Sequence, residues 1–231
     1  MSGVSRDALI LAGDIGGTHT RFALVAVSTQ APQEPRTLAH EDLASVLLAE
    51  RGSLEDAAGA FLARAGRGTP DALVMACAGP VRGGESRITN LPWVVREDAL
   101  RAATGATHLR VVNDFEAMAR GTLTLHEHEL EVLQQGERDP HGARLVLDAD
   151  TGQAWVLASP GTRPRVLTSE GGHVSFAPRD AFEDGLLVAL RARHGRVSVE
   201  RVVSGLGLVH LYEHIVDTGV ASTTEALRLA V

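Results

Sequence analysis

The chain is 231 residues long, with 44% hydrophobic and 22% charged residues, 24 glycines and a net charge of -7. Its 22 basic residues are all arginines, which excludes lysine Schiff-base chemistry and the lysine-bearing P-loop, and an acidic balance without a basic run argues against nucleic acid as a partner. The single cysteine, Cys77, lies in the apolar run LVMACAG, so a buried structural thiol and a cytoplasmic setting are expected, with no signal peptide and no membrane span.

In chain order, residues 8–12 and 22–27 read as two apolar strands joined by the glycine turn GDIGGT, a hairpin signal. Helical spacing over 43–65, interrupted near Gly52, leads to a buried strand at 72–76. A short strand is predicted at 93–95, a helix at 96–103, and the strand HLRVV running directly into the helix NDFEAMARG. A polar stretch rich in His, Glu and Gly, 121–142, then separates this half from three short strands, RLVLD, AWVLA and RVLTS. An amphipathic helix follows at 181–193, then a helix capped by Ser204, and STTEALRLAV begins one more. Strands followed by helices occur twice, a pattern compatible with two α/β lobes related by internal duplication.

Three clusters carry chemistry. In GDIGGTHTR, Gly16 and Gly17 let the backbone turn sharply and present N–H groups to an anion, Thr18 adds a hydroxyl, and Asp14 offers a carboxylate for magnesium; an ordinary hairpin is the alternative. In VVNDFEAMA, Asn113 and Asp114 fall where a strand ends and a helix begins, a common position for ligand groups, although Asp114 in that place also reads as a helix cap. In TSEGGHVSF, Glu170 and His173 flank two glycines, an arrangement suited to a hydroxyl-rich ligand. The other histidine cluster, HEHE at 126–129, reads as a solvated loop or helix face rather than a metal site.

Taken together, DIGGTHTRFAL, ITNLPWVV, VVNDFEAMA, TSEGGHVSFAP and VSVERVVSGLGLVHLY resemble bacterial glucokinase, within the sugar kinase, actin and Hsp70 superfamily. The resemblance implies an α/β, two-lobed actin-like ATPase (ribonuclease H-like) fold with an incomplete second lobe, the lobes being 1–120 and 121–231. It implies a hexose phosphotransferase that moves the γ-phosphoryl group of ATP, with Mg2+, to the 6-hydroxyl of glucose, feeding glycolysis. By the same resemblance Asp114 matches the catalytic base, Asn113, Asp114, Glu170, His173 and Glu200 match the glucose-holding residues, and Asp14, Gly16, Gly17 and Thr18 match the first phosphate motif.

Three departures stand out. The family's second phosphate motif, G-x-G-T-G-L-G, is DADTGQA here: Thr151 and Gly152 survive, but Asp148, Asp150 and Ala154 replace glycines. Such carboxylates beside ATP phosphates are costly, since one like-charge pair at about 4 Å and an effective dielectric near 20 costs on the order of 4 kcal/mol. His19 stands where the family usually has asparagine, and roughly the last third of a glucokinase chain, which carries the adenosine pocket, has no counterpart. Two alternatives to turnover therefore stay open, a sugar-binding module with impaired catalysis and a fragment without function; exposed apolar surface would also favour homo-oligomers.

Overall fold

A computed structural model describes residues 7–28, 30–31, 34–45, 52–88, 91–137, 139, 142–148, 153–157 and 163–222. The chain divides between Gly136 and Glu137, inside the polar stretch 121–142, into two compact units.

The first unit is built on a five-stranded mixed sheet. Strands β1 (Ala8–Ile15), β2 (His19–Val27) and β3 (Arg36–Ala44) form an antiparallel meander; β4 (Ala72–Cys77) and then β8 (His108–Asn113) add in parallel on the β1 side, giving the order β3-β2-β1-β4-β8. The hairpin expected around GDIGGT is present, with strands longer than their apolar cores suggest, because ladder bonds continue to Ile15 and Thr20. The helical spacing expected from residue 43 is corrected: Leu43 and Ala44 end β3, whose Thr20↔Leu43 and His19↔Ala44 pairs override local periodicity. The helix α1 (Leu54–Ala65) starts only after Ser53, whose hydroxyl accepts the Asp56 N–H while Asp56 accepts the Ser53 N–H.

Period-two alternation sends Leu11 and Ile15 of β1, Leu73, Met75 and Cys77 of β4, and Leu109 and Val111 of β8 to one face. There they meet Leu54, Ala58 and Phe61 of α1 and Leu100 of α2 (Glu97–Thr104), with the Phe22 and Phe61 rings stacked at 5.6 Å. The helix α3 (Asp114–Gly121) packs against β4 and β8. A small antiparallel sheet, β5 (Val81–Arg82), β6 (Glu85–Arg87) and β7 (Val94–Arg96), was not legible as strands before Trp93.

The second unit holds an antiparallel sheet in the order β11-β10-β9, with β9 (Arg144–Leu147), β10 (Gln153–Leu157) and β11 (Arg165–Ser169), the three strands expected there. The helices α4 (Ala181–His194) and α5 (Gly205–Asp217) follow, capped by Asp180 and Ser204. Leu186, Leu190 and Val197 form their buried core, with Phe176, Leu187, Val202 and Leu211 packed against it. Almost all of the terminal helix expected in STTEALRLAV lies outside the described residues. Among the described residues no helix is long and apolar enough to cross a membrane.

Candidate functional site

Parallel pairing places the first two clusters on one edge of the first sheet. Ile15 is opposite Cys77, and Cys77 is opposite Asn113, so the GDIGGT turn and the start of α3 leave the same carboxyl edge two strands apart, roughly 10 Å at ordinary strand spacing. This edge is where ligands bind in open α/β sheets. Burial pushes the Cys77 thiol up to about 12, and the charges of Asp114 and Asp14 add to that push, so both carboxylates act on the same buried sulfur.

The helix cap belongs to Asn113, not to Asp114. Asn113 Oδ1 accepts the Glu116 N–H at 3.2 Å, while its Nδ2 donates to the Gly79 carbonyl at 3.1 Å and to Asp114 Oδ1 at 2.8 Å. Asp114 Oδ1 also accepts the Phe115 N–H at 2.9 Å. The half-buried carboxylate is thus oriented by its neighbours rather than used to close the helix. Gly79 is a positioning residue that sequence reading missed. Its φ is +151°, and a Cβ there would lie 2.8 Å from the Arg87 carbonyl oxygen, so only glycine lets the backbone present the Gly79 carbonyl to Asn113.

In the first cluster the Gly16 N–H closes the hairpin by donating to the His19 carbonyl at 2.9 Å, and a Cβ on Gly16 would meet that same oxygen at 3.1 Å. Ser45, another residue missed in the sequence, anchors the turn: its hydroxyl donates to the Gly16 carbonyl at 2.7 Å and its N–H to the Thr18 carbonyl at 2.9 Å. Having spent its one hydrogen, the Ser45 hydroxyl accepts from Thr20 Oγ1 at 2.9 Å, and both side chains are fully buried. With these carbonyls committed, the N–H groups of Gly17 and Thr18 have no backbone acceptor among the described residues. Asp14 is exposed on the sheet face opposite Leu11 and Ile15, and its Oδ2 pairs with Arg21 at 3.0 Å. Arg21 also reaches Asp42 at 3.0 Å.

The third cluster lies in the second unit. Glu170 follows β11 and opens a 3-10 turn over Gly171–His173. That turn is stitched to the connection between α4 and α5: the Glu200 N–H donates to Gly172 and the Val199 N–H to Val174, each at 3.0 Å, and Arg196 donates to the His173 carbonyl. The stitching sets His173 Nδ1 3.2 Å from Glu200 Oε2, joining two sequence-predicted residues that lie far apart in the chain. Glu200 also lines a cavity of about 330 Å³ with Arg201, Ser204, Gly205 and Leu206. Thr151 and Gly152 fall outside the described residues, as does Asp150; they belong to the connection between Leu147 of β9 and Gln153 of β10.

No group of three or more His, Cys, Asp or Glu side chains among the described residues could hold a metal ion. A magnesium ion that keeps most of its waters needs one or two carboxylates plus substrate phosphates rather than a protein cage; Asp14 offers one carboxylate, its Oδ2 engaged by Arg21. The HEHE segment is an exposed 3-10 turn whose His126 and His128 rings stack on each other.

A family model described as Glucokinase matches residues 11–230. A glucokinase from Chromohalobacter salexigens is 40% identical over 210 residues, covering 90% of this chain and 63% of that protein. One from Synechocystis is 38% identical over 220 residues, covering 89% and 60%. The chain therefore spans less than two thirds of these relatives' length. A solved glucokinase from an Antarctic psychrotroph superposes with a TM-score of 0.75 at 32% identity, over 94% of this chain and 67% of that one. A glucokinase from Balamuthia mandrillaris, solved in complex with glucose, shares the fold with a TM-score of 0.66 at 21% identity, over 98% of this chain and 67% of that one. A match running over residues 11–230, carried by relatives of this identity, leaves one assignment: the chain belongs to the glucokinase family.

Proposed function

We propose that this chain carries the sugar-phosphorylating machinery of a glucokinase, transferring the γ-phosphoryl group of ATP to the 6-hydroxyl of glucose. The observation that carries the reading is the Asp114 carboxylate, held by Asn113 Nδ2 and the Phe115 N–H at the carboxyl edge of the sheet. A carboxylate so placed would orient the 6-hydroxyl and accept its proton as the oxygen attacks in line. Asn113, Glu170, His173 and Glu200 would bind the remaining hydroxyls, and a sugar that leaves such groups unpaired would be rejected. The N–H groups of Gly17 and Thr18, with Thr151 and Gly152, would receive phosphate oxygens, and magnesium beside Asp14 would neutralise their charge. A cytoplasmic location and self-association belong to the same reading. A coupled assay for glucose 6-phosphate with Mg-ATP tests it; no product above the uncatalysed background at saturating substrates removes it.

A second reading is favoured by one specific observation, the aspartates at 148 and 150 where the family's phosphate motif has glycine. It makes the chain a glucose-binding protein with impaired nucleotide binding. Glucose would then raise the melting temperature while Mg-ATP would not. A shift with Mg-ATP comparable to that with glucose eliminates this alternative.

A further inference from the structure

Away from the residues assigned to sugar and nucleotide, the second unit holds two imidazoles between its helices. His194 ends α4 and His210 lies within α5, with ring centroids 5.2 Å apart. His210 is buried, and His194 Nε2 is shut off from solvent without a hydrogen-bond partner. Arg201, from the connection between the helices, engages both rings: its Nη1 lies 3.4 Å from His194 Nδ1, and its carbonyl oxygen 3.2 Å from His210 Nδ1. A guanidinium can only donate, so His194 Nδ1 is the acceptor and the neutral ring carries its proton on Nε2. A carbonyl can only accept, so His210 donates from Nδ1.

Protonating His194 would turn that acceptor into a donor facing a donor and set a second positive charge against Arg201. The surroundings oppose it from every side: Arg193 on α4, Arg201 on the connection and His210 on α5, above the apolar core of Leu186, Leu190 and Val197. Glu213 of α5 is engaged by Arg193 at 2.5 Å, and Asp217 also acts on Arg193. Burial first, then Arg201, His210 and Arg193, hold the His194 ring below its ordinary value of 6.5. Arg201 directly follows Glu200, and the same connection is closed by the Val202 and Val203 N–H groups on the Val199 carbonyl at 2.9 and 2.8 Å.

We propose that His194 is a proton-operated latch on the connection between α4 and α5: neutral, it accepts Arg201 and holds the Glu200 segment in place; protonated, it releases Arg201 and loosens that segment. The latch itself rests only on the second unit's geometry, whereas an effect on glucose rests in addition on the reading of Glu200 as a sugar ligand. Because the opened segment takes up a proton more readily than the closed one, the stabilisation is complete above 6.5 and is lost as the pH falls below it.

The test is amide hydrogen exchange on the full chain at about pH 7.5 and about pH 5.5, corrected for intrinsic exchange, the interval over which an imidazole changes charge. Protection at Glu200, Val202 and Val203 should fall severalfold at the lower pH in the wild type. It should stay level in His194→Asn, whose Oδ1 takes the place of Nδ1 and still accepts from Arg201 but does not titrate. The same fall in His194→Asn, or none in the wild type, overturns the latch. Ring-proton titration guards against a variant that fails to fold: wild-type His194 should titrate below 6.5 and shift upward in Arg201→Gln, and a ring titrating at or above 6.5 in the wild type refutes the proposal. Glucose calorimetry at both pH values reads the sugar assignment separately, since an intact exchange step without glucose binding removes that assignment and leaves the latch standing.

Discussion

Asn113 and Asp114 are adjacent, polar and similar in shape, yet their neighbours give them different work. Asn113 spends its amide on the helix cap, the Gly79 carbonyl and Asp114, which frees Asp114 from the capping role. Replacing Asp114 with Asn keeps an oxygen for the Phe115 N–H but no base, so product formation should fall by about 10² to 10⁴-fold while the glucose-dependent rise in melting temperature persists. A coupled assay beside a thermal melt checks both halves. Cys77 supplies a test by pH. Its thiol, held near 12 by burial and by Asp114, stays neutral in the fold well above the ordinary 9.0. The unfolded thiol ionises first, so its contribution to stability is complete below 9.0 and lost as pH rises toward 12. Iodoacetamide at mildly alkaline pH should label Cys77 only after denaturant is added, and native labelling at the denatured rate would contradict its burial.

At the scale of elements, two close approaches decide what the chain can do. The GDIGGT hairpin is shaped by its anchor: Ser45 takes the Gly16 and Thr18 carbonyls, so the turn's remaining N–H groups are what it has to offer a ligand. At the start of α5, a Cβ on Gly207 would lie 2.4 Å from the carbonyl carbon of Val202 and 2.5 Å from its oxygen. These are backbone atoms that no rotamer change can clear. Gly207→Ala should therefore cost about 2 kcal/mol, an ordinary penalty for overpacking, and shift the connection that carries Glu200. Chemical denaturation reads the first effect and glucose calorimetry the second.

For the whole molecule the outcome turns on the connection from β9 to β10. Ala154 is paired with Val146 and Thr168 in the middle strand of its sheet, so glycine there weakens a strand interior as well as altering a phosphate motif. Asp148→Gly with Asp150→Gly is the cleaner restoration: calorimetry should show tighter Mg-ATP binding than in the parent chain, and unchanged affinity would mean that the aspartates do not oppose the nucleotide. Adding Ala154→Gly should lower stability by roughly 0.5 to 1 kcal/mol. Leu147, Val188, Leu206 and Leu208 of the second unit are each 60 to 66% exposed, and covering such apolar side chains would favour self-association as concentration rises. Sedimentation velocity over a concentration series would detect it, and a constant monomer mass would count against that expectation.

The sequence by itself determined the elements with strong local signals: the apolar runs of β1 and β4, the strand HLRVV of β8, the Ser204 cap of α5, and five motifs whose order named the family. It misplaced the start of the helical region after β2, because the reason for β3 lies in its pairing with β2 rather than in its own polar residues. Tertiary structure alone decided that Asn113 rather than Asp114 caps α3, that Gly79 and Ser45 shape the first unit's candidate residues, and that Glu200 meets His173. The Gly79, Ser45 and Glu200 contacts join residues distant along the chain, and no local pattern of polarity or spacing encodes which carbonyl a side chain will find; the cap is a local contact, but Asn and Asp are equally good cap residues, so the sequence does not choose between them.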